Sequence, residues 1–252
     1  MSIDHYVALG DSMSSDHYPT CDLRNLDAPP SHLDPAGAAA LLFRNDDARW
    51  PEFSGQDLAR MAAGVDFRNL TEDGALIDDV RTEELSRLGR DSADPRVLVT
   101  LTAGGNDLLD ALLAGVPLDR AVGRIAGRYT DLIDALLEEL PRATLVLTTV
   151  YDPTDGTGIL PGLFEVKGRL PLEYLDQFNQ HVRDTAGQTP GALLADVHQH
   201  FLGHGVSLSE SGRWYWRHNL IEPNARGASE IRRVWWEVLQ QSTQRIPTLP
   251  AA

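Results

Sequence analysis

Five short apolar runs punctuate the chain: HYVALG at 5–10, VDFRNL at 65–70, RVLVTLTAG at 96–104, ATLVLTTV at 143–150 and ALLADV at 192–197. They are rich in Val, Leu and Thr and of strand length. The third and fourth are almost wholly apolar or threonine, as expected of strands covered on both faces. Between the runs, apolar residues recur at helical spacing over 56–63, 77–88, 106–114, 118–140 and 172–186. A last helix is predicted from about Ala225 to Gln241, with Ile231, Val234, Trp235, Val238 and Leu239 forming a core-facing stripe. Strands alternating with helices predict an α/β fold in three layers, α/β/α, around a parallel sheet of about five strands.

Two irregular stretches, 13–55 and 151–171, are longer than ordinary connections and read as candidate walls or lids of a site. No repeat or low-complexity tract divides the chain, so residues 1–245 are expected to form one domain and 246–252 a frayed tail.

Charge narrows the partners. Asp and Glu number 37 against 22 Lys and Arg, a net charge of −15. Such a surface repels phosphate backbones and anionic lipid, which argues against nucleic acid and membranes as partners. No apolar run approaches the roughly 18 residues that a membrane-spanning helix needs. The opening MSIDHYVALGDS has neither a basic segment nor a long apolar one, so a cytoplasmic protein is expected. Cys21 is the only cysteine and has no partner for an internal disulfide.

Three strand ends carry candidate chemistry. After the first run comes GDS, where Gly10 permits a sharp turn and Ser12 sits at the edge of the sheet that binds ligands in such folds. A serine there can equally cap a helix. The third run ends in GGND, placing Asn106 where its amide can face a developing oxyanion or merely cap the next helix. The second is followed by EDG, where the N–H of Gly74 can approach a substrate oxygen or simply form a turn.

Together these blocks resemble the SGNH hydrolases, also called GDSL-type esterases. The matching pieces are GDS with Ser12, DG with Gly74, GGND with Asn106 and PNARG at 223–227, in order across most of the chain. The resemblance implies a flavodoxin-like sheet, a Ser12 nucleophile, and an oxyanion hole made of the Ser12 and Gly74 N–H groups and the Asn106 side chain. It implies a small-molecule ester as substrate and no metal or organic cofactor.

The chain departs from the family at one block. The usual D-x-x-H-P-N, with His as general base and Asp orienting it, reads Asn219, Leu220, Ile221, Glu222, Pro223, Asn224. Four readings stay open. Glu222 is itself the base, which requires that burial lift its pKa from about 4.3 toward that of an imidazole, about 6.5. Alternatively a histidine reaches Ser12 from elsewhere, His218 and His204 leading over His17, His198 and His200, with Glu222 orienting it. Thirdly, H-Q-H-x-x-x-H at 198–204 binds a metal, against which no cysteine is nearby. Lastly, the site no longer hydrolyses and holds a ligand.

Asp11, Trp216 and Asn219 are taken as substrate-side residues, with the site built from 10–19, 72–75, 104–107 and 213–224. The loop with Asp46, Asp47 and Trp50 reads as a solvated acidic loop or a binder of sugar or cationic groups. No strongly apolar lid is visible, so a small acyl ester or an acylated sugar is favoured at least as much as a long-chain lipid. An acyl transferase, or a binding protein on the same fold, is the competing class.

Overall fold

The computed structural model describes residues 3–88, 96–161 and 169–244. The expected tail at 246–252 lies outside the described residues, as does part of the irregular stretch 151–171.

Five parallel strands form the central sheet: β1 (His5–Gly10), β2 (Asp66–Asn69), β3 (Val97–Thr102), β4 (Thr144–Thr148) and β5 (Ala192–Ala195). Their order is β2-β1-β3-β4-β5. The chain runs outward from β1 in one direction and from β3 in the other, so the crevice beyond the carboxyl ends of β1 and β3 is the topological switch point where such sheets bind ligands. All six residues of β3 are buried, which explains its unbroken apolar sequence. At the sheet edge, β2 exposes Asp66 and Asn69.

Helices α1 (His17–Arg24), α2 (Ala38–Phe43) and α9 (Ala225–Gln244) pack together, as do α5 (Gly105–Leu113), α6 (Leu118–Glu139) and α7 (Leu172–Gln188). Trp235 of α9 is fully buried and donates its indole N–H to Thr148 Oγ1 of β4 at 3.0 Å. On α6, Tyr129 meets Phe178 of α7 edge to face at 5.6 Å. The segment predicted as a helix at 77–88 is one helical course of mixed pitch. It begins as α4 (Ile77–Asp79), widens to a π turn over Val80–Glu84 and tightens to a 3₁₀ turn over Leu85–Arg87.

The stretch 13–55 is more ordered than its sequence suggests. It holds α1 and α2, and α3 (Leu58–Met61) follows it. α2, AAALLF, shows no periodicity because its first five residues are all buried. α8 (Val197–Phe201) is a short turn after β5. A feature the sequence did not announce is an antiparallel hairpin, β6 (Tyr215–Trp216) with β7 (Asn219–Pro223), in the segment expected to be a site loop.

Candidate active site

β1 delivers Ser12 through a turn that only glycine permits. Gly10 has φ +117°, and a Cβ there would lie 1.7 Å from the Thr102 carbonyl oxygen. The turn is then knitted to β3: the Asp11 N–H donates to the Thr102 carbonyl at 3.1 Å, and the Ser14 and Thr102 hydroxyls meet at 2.9 Å. The Asp11 carboxylate accepts the Met13 N–H at 3.1 Å across Ser12. Burial pushes the Asp11 carboxyl up to about 6, against the stabilising bonds from Thr102 and Met13.

β3 delivers Asn106 in the same manner. Gly104, with φ +103°, faces Phe178 so closely that a Cβ would sit 2.1 Å from the ring. α5 then starts, and Asn106 donates one amide N–H to the Ala75 carbonyl at 3.1 Å. That bond ties the third block to the second. Asp107 reinforces it, accepting the Ile77 N–H at 3.0 Å while Arg128 holds its other oxygen at 2.7 Å. Gly74 immediately precedes these anchors, with φ +77°. Among the described residues, the backbone N–H groups of Ser12 and Gly74 donate to no protein acceptor, and Asn106 keeps a second amide N–H.

Glu222 is brought in by β7. The Tyr151 hydroxyl donates to the Ile221 carbonyl at 2.7 Å and pins the strand. Pro223 and Asn224 then turn the chain into α9. Asn224 caps that helix by accepting the Gly227 N–H at 2.8 Å, and Gly227 is required because the Trp214 carbonyl presses against it. Ser12 and Glu222 are each 7% exposed. Burial pushes the Glu222 carboxyl up to about 8, the negative charges of Asp73 and Asp11 add to the rise, and the neighbouring Ser12 hydroxyl opposes it. Glu222 Oε2 is buried without a hydrogen-bond partner.

Ser12, Asn106, Glu222 and Asp11 border one cavity of about 150 Å³. Gly74 is not among the residues that border it, but its neighbour Ala75 is hydrogen-bonded to Asn106. The two other expected substrate contacts lie away from it. Trp216 is buried against Tyr18, with ring centroids 5.2 Å apart, and Asn219 pairs with Trp216 in the hairpin. The Asn219 Oδ1 is buried and unpartnered, so it does not orient a neighbour through that atom.

None of the C-terminal histidines reaches the serine. His218 sits in the hairpin turn, with Nε2 3.0 Å from Asp27 and 2.7 Å from the Arg217 Nε. The hairpin register carries it outward, because Trp216 and Asn219 pair across it. His204 lies flat on Trp214, ring centroids 3.5 Å apart, and His200 faces Glu230 at 3.0 Å. His198 Nδ1 is held by the Val150 carbonyl and Asn179. The H-Q-H-x-x-x-H spacing therefore spreads its rings over separate partners, and among the described residues no group of three or more His, Cys, Asp or Glu could hold a metal ion.

Two carboxylates received no role in the sequence reading, although Asp73 falls within the expected site segment 72–75. Asp73 accepts the Ser15 hydroxyl at 2.8 Å and lies 2.8 Å from His17 Nδ1, although that ring nitrogen is not aligned for a hydrogen bond. Its signal was its place beside Gly74. Glu84 is 1% exposed, accepts the Gly10 N–H at 2.7 Å, and is pushed up to about 8 by burial. Its signal was a glutamate on the buried stripe of a helical segment, in register with Ile77 and Val80.

The model of the GDSL-like lipase/acylhydrolase family matches residues 8–229. No protein of curated function shows significant sequence similarity to the chain. Among solved structures, an alpha/beta hydrolase from the metagenome of Lake Arreo, Spain, is 20% identical with a TM-score of 0.62, covering 95% of this chain and 97% of its own. A lipolytic protein of the G-D-S-L family from Veillonella parvula is 15% identical with a TM-score of 0.59, covering 94% of this chain and 98% of its own. An acetyl xylan esterase from Geobacillus stearothermophilus is 16% identical with a TM-score of 0.57, covering 94% of each chain. These likenesses bear on the fold, and the match over residues 8–229 bears on descent: the chain belongs to the GDSL-like lipase/acylhydrolase family and is an esterase or acyl hydrolase.

Proposed function

We propose that the chain hydrolyses carboxylic esters through an acyl-Ser12 intermediate, with Glu222 as the general base. The observation that carries this reading is that Ser12 and the buried Glu222 carboxyl border the same cavity, with burial raising that carboxyl's pKa to about 8. A free glutamate is too weak a base for the task, and burial beside Asp73 and Asp11 supplies the missing basicity.

In the first step Ser12 Oγ attacks the ester carbonyl and its proton passes to Glu222. The carbonyl oxygen becomes an oxyanion, for which the Ser12 N–H, the Gly74 N–H and the second Asn106 N–H are the unspent donors. Collapse expels the alcohol, which takes the proton from Glu222. Water then repeats the sequence on the acyl-serine and releases the acid. Neutral Asn219 suits a carboxylate base, because that base loses its charge on protonation and forms no imidazolium for an aspartate to stabilise.

A second reading keeps Ser12 but uses His17, which lies five residues on and faces Asp73. The test is hydrolysis of p-nitrophenyl hexanoate at pH 8.5 by wild type and by the Ser12→Ala, Glu222→Gln and His17→Ala variants. Turnover is expected to vanish in the first two and to persist in the third. Turnover retained in Ser12→Ala removes the covalent mechanism, and loss in His17→Ala with retention in Glu222→Gln transfers the base to the imidazole.

A further inference from the structure

Asp11, Ser12, Asn106, Asp152 and Glu222, which follow β1, β3 and β4 or lie on β7, form the polar end of the cavity, its mouth, and half of the remaining lining residues are leucines. Gly105, Leu108, Leu109 and Leu112 line it from a single face of α5, at the i, i+3, i+4, i+7 spacing. Leu112 is the lining residue of α5 farthest along that helix from Asn106, and Leu118, opening α6, with Leu172 and Leu175 of the first turn of α7 also line the cavity. This wall is mainly apolar: besides its aliphatic side chains it holds Tyr174 and Tyr151, whose hydroxyl is already spent on the Ile221 carbonyl, so it suits an alkyl chain better than a sugar ring, most of whose hydroxyls would be left unpaired.

Two measures give its reach. Asn106 and Leu112 are six residues apart on α5, an axial distance of about 9 Å. An extended alkyl chain, advancing a little less than one carbon–carbon bond length per carbon, covers that with about seven carbons. Independently, the cavity volume is about 150 Å³, the size at which an aliphatic cavity takes up a six-carbon ring.

We propose that this cavity is an acyl-chain site cut to about six to eight carbons, with Leu112 and Leu118 as its end wall, so that the substrates are medium-chain acyl esters. The proposal rests on the acyl-Ser12 reading, which fixes the end of the cavity at which the carbonyl lies. It replaces the sequence-based preference for a small acyl ester with a chain that the leucine wall can cover. The alcohol, by contrast, leaves by the polar mouth, which the cavity does not select.

The test is kcat/KM on p-nitrophenyl esters from acetate to palmitate at pH 8.5, with the full chain. Each methylene that enters the wall is expected to raise kcat/KM about fourfold. Hexanoate should therefore exceed acetate by about two orders of magnitude, with a maximum at six to eight carbons and a fall beyond. Leu112→Trp should lower the octanoate-to-acetate ratio at least tenfold, and Leu118→Ala should move the maximum to longer chains. A flat profile, or one that peaks at acetate, overturns the proposal and leaves ester hydrolysis standing.

Calorimetry on Ser12→Ala with octanamide and acetamide separates the two claims. Binding of octanamide alone supports the cavity assignment even if wild type turns over no ester, an outcome that would defeat the hydrolase mechanism instead. Equal or absent binding of both amides overturns the cavity assignment.

Discussion

Replacing Glu222 tests the least ordinary part of the site. With its pKa at about 8, about a tenth of the carboxyl is ionised at pH 7 and about nine-tenths at pH 9. A general base must be ionised, so kcat/KM should climb about tenfold from pH 7 to a plateau above pH 9, with a single acid limb near 8. Glu222→Gln keeps the shape and removes the base, and a loss of about 10²- to 10⁴-fold is expected. The double variant Asn219→Asp with Glu222→His restores the pairing usual in the family. An imidazole titrates near 6.5 before its surroundings act, so the limb should move down by about 1.5 units. The assay is initial-rate hydrolysis of a p-nitrophenyl ester from pH 5 to 10, corrected for spontaneous hydrolysis. A wild-type limb at 6.5 or below, or full activity in Glu222→Gln, refutes the reasoning and points to an imidazole, for which His17 beside Asp73 is placed.

Other perturbations separate the supporting contacts. Asp73→Asn removes a charge that raises Glu222, so the acid limb of kcat/KM should move to lower pH; a limb that stays or moves up contradicts that coupling. Glu84 has its folded pKa raised to about 8 from an ordinary 4.5, so its stabilising contribution is whole below about pH 4.5 and is lost as the pH rises through 8. The ceiling on that loss is on the order of 5 kcal/mol. Glu84→Gln, which retains an acceptor for the Gly10 N–H, should therefore narrow the difference in denaturant stability between pH 5 and pH 8, and an unchanged difference refutes the assignment. Gly10→Ala forces a Cβ to 1.7 Å from the Thr102 carbonyl at φ +117°, and a loss of about 3 kcal/mol or more is expected in a melting experiment. A melting temperature within a degree of wild type would show that the turn relaxes freely.

Much of the architecture could be read from the pattern because the inner strands are buried on both faces. β3 and β4 stand out as runs of Val, Leu and Thr alone, and β1, HYVALG, is apolar after its first two residues. Ser12 and Asn106 were legible because they follow strands that lie side by side, and Gly74 because it follows the neighbouring one. What escaped were elements whose order comes from their partners. α1 begins HYP and has little amphipathic contrast, and α2 is buried almost all round. The hairpin β6–β7 turns through Arg217 and His218 without a glycine, so it carried no turn signal.

The position of Glu222 was visible as a departure from the family pattern, but its basicity was not. That property depends on Asp11 and Asp73, which come from loops about 210 and 150 residues away in sequence and meet it only in the fold. The leucine cavity was hidden for a related reason. Its wall joins α5, the opening of α6 and the opening of α7, and each of these reads alone as an ordinary amphipathic helix.

The central claim is that Ser12 is a nucleophile activated by its contact with Glu222. Intact mass after exposure to a fluorophosphonate probe at pH 8.5 tests it most directly, on wild type, Ser12→Ala and Glu222→Gln. The account predicts one adduct on wild type, none on Ser12→Ala and strongly slowed labelling of Glu222→Gln. Folded wild type that stays unlabelled from pH 6 to 9, or an adduct that survives in Ser12→Ala, would contradict it.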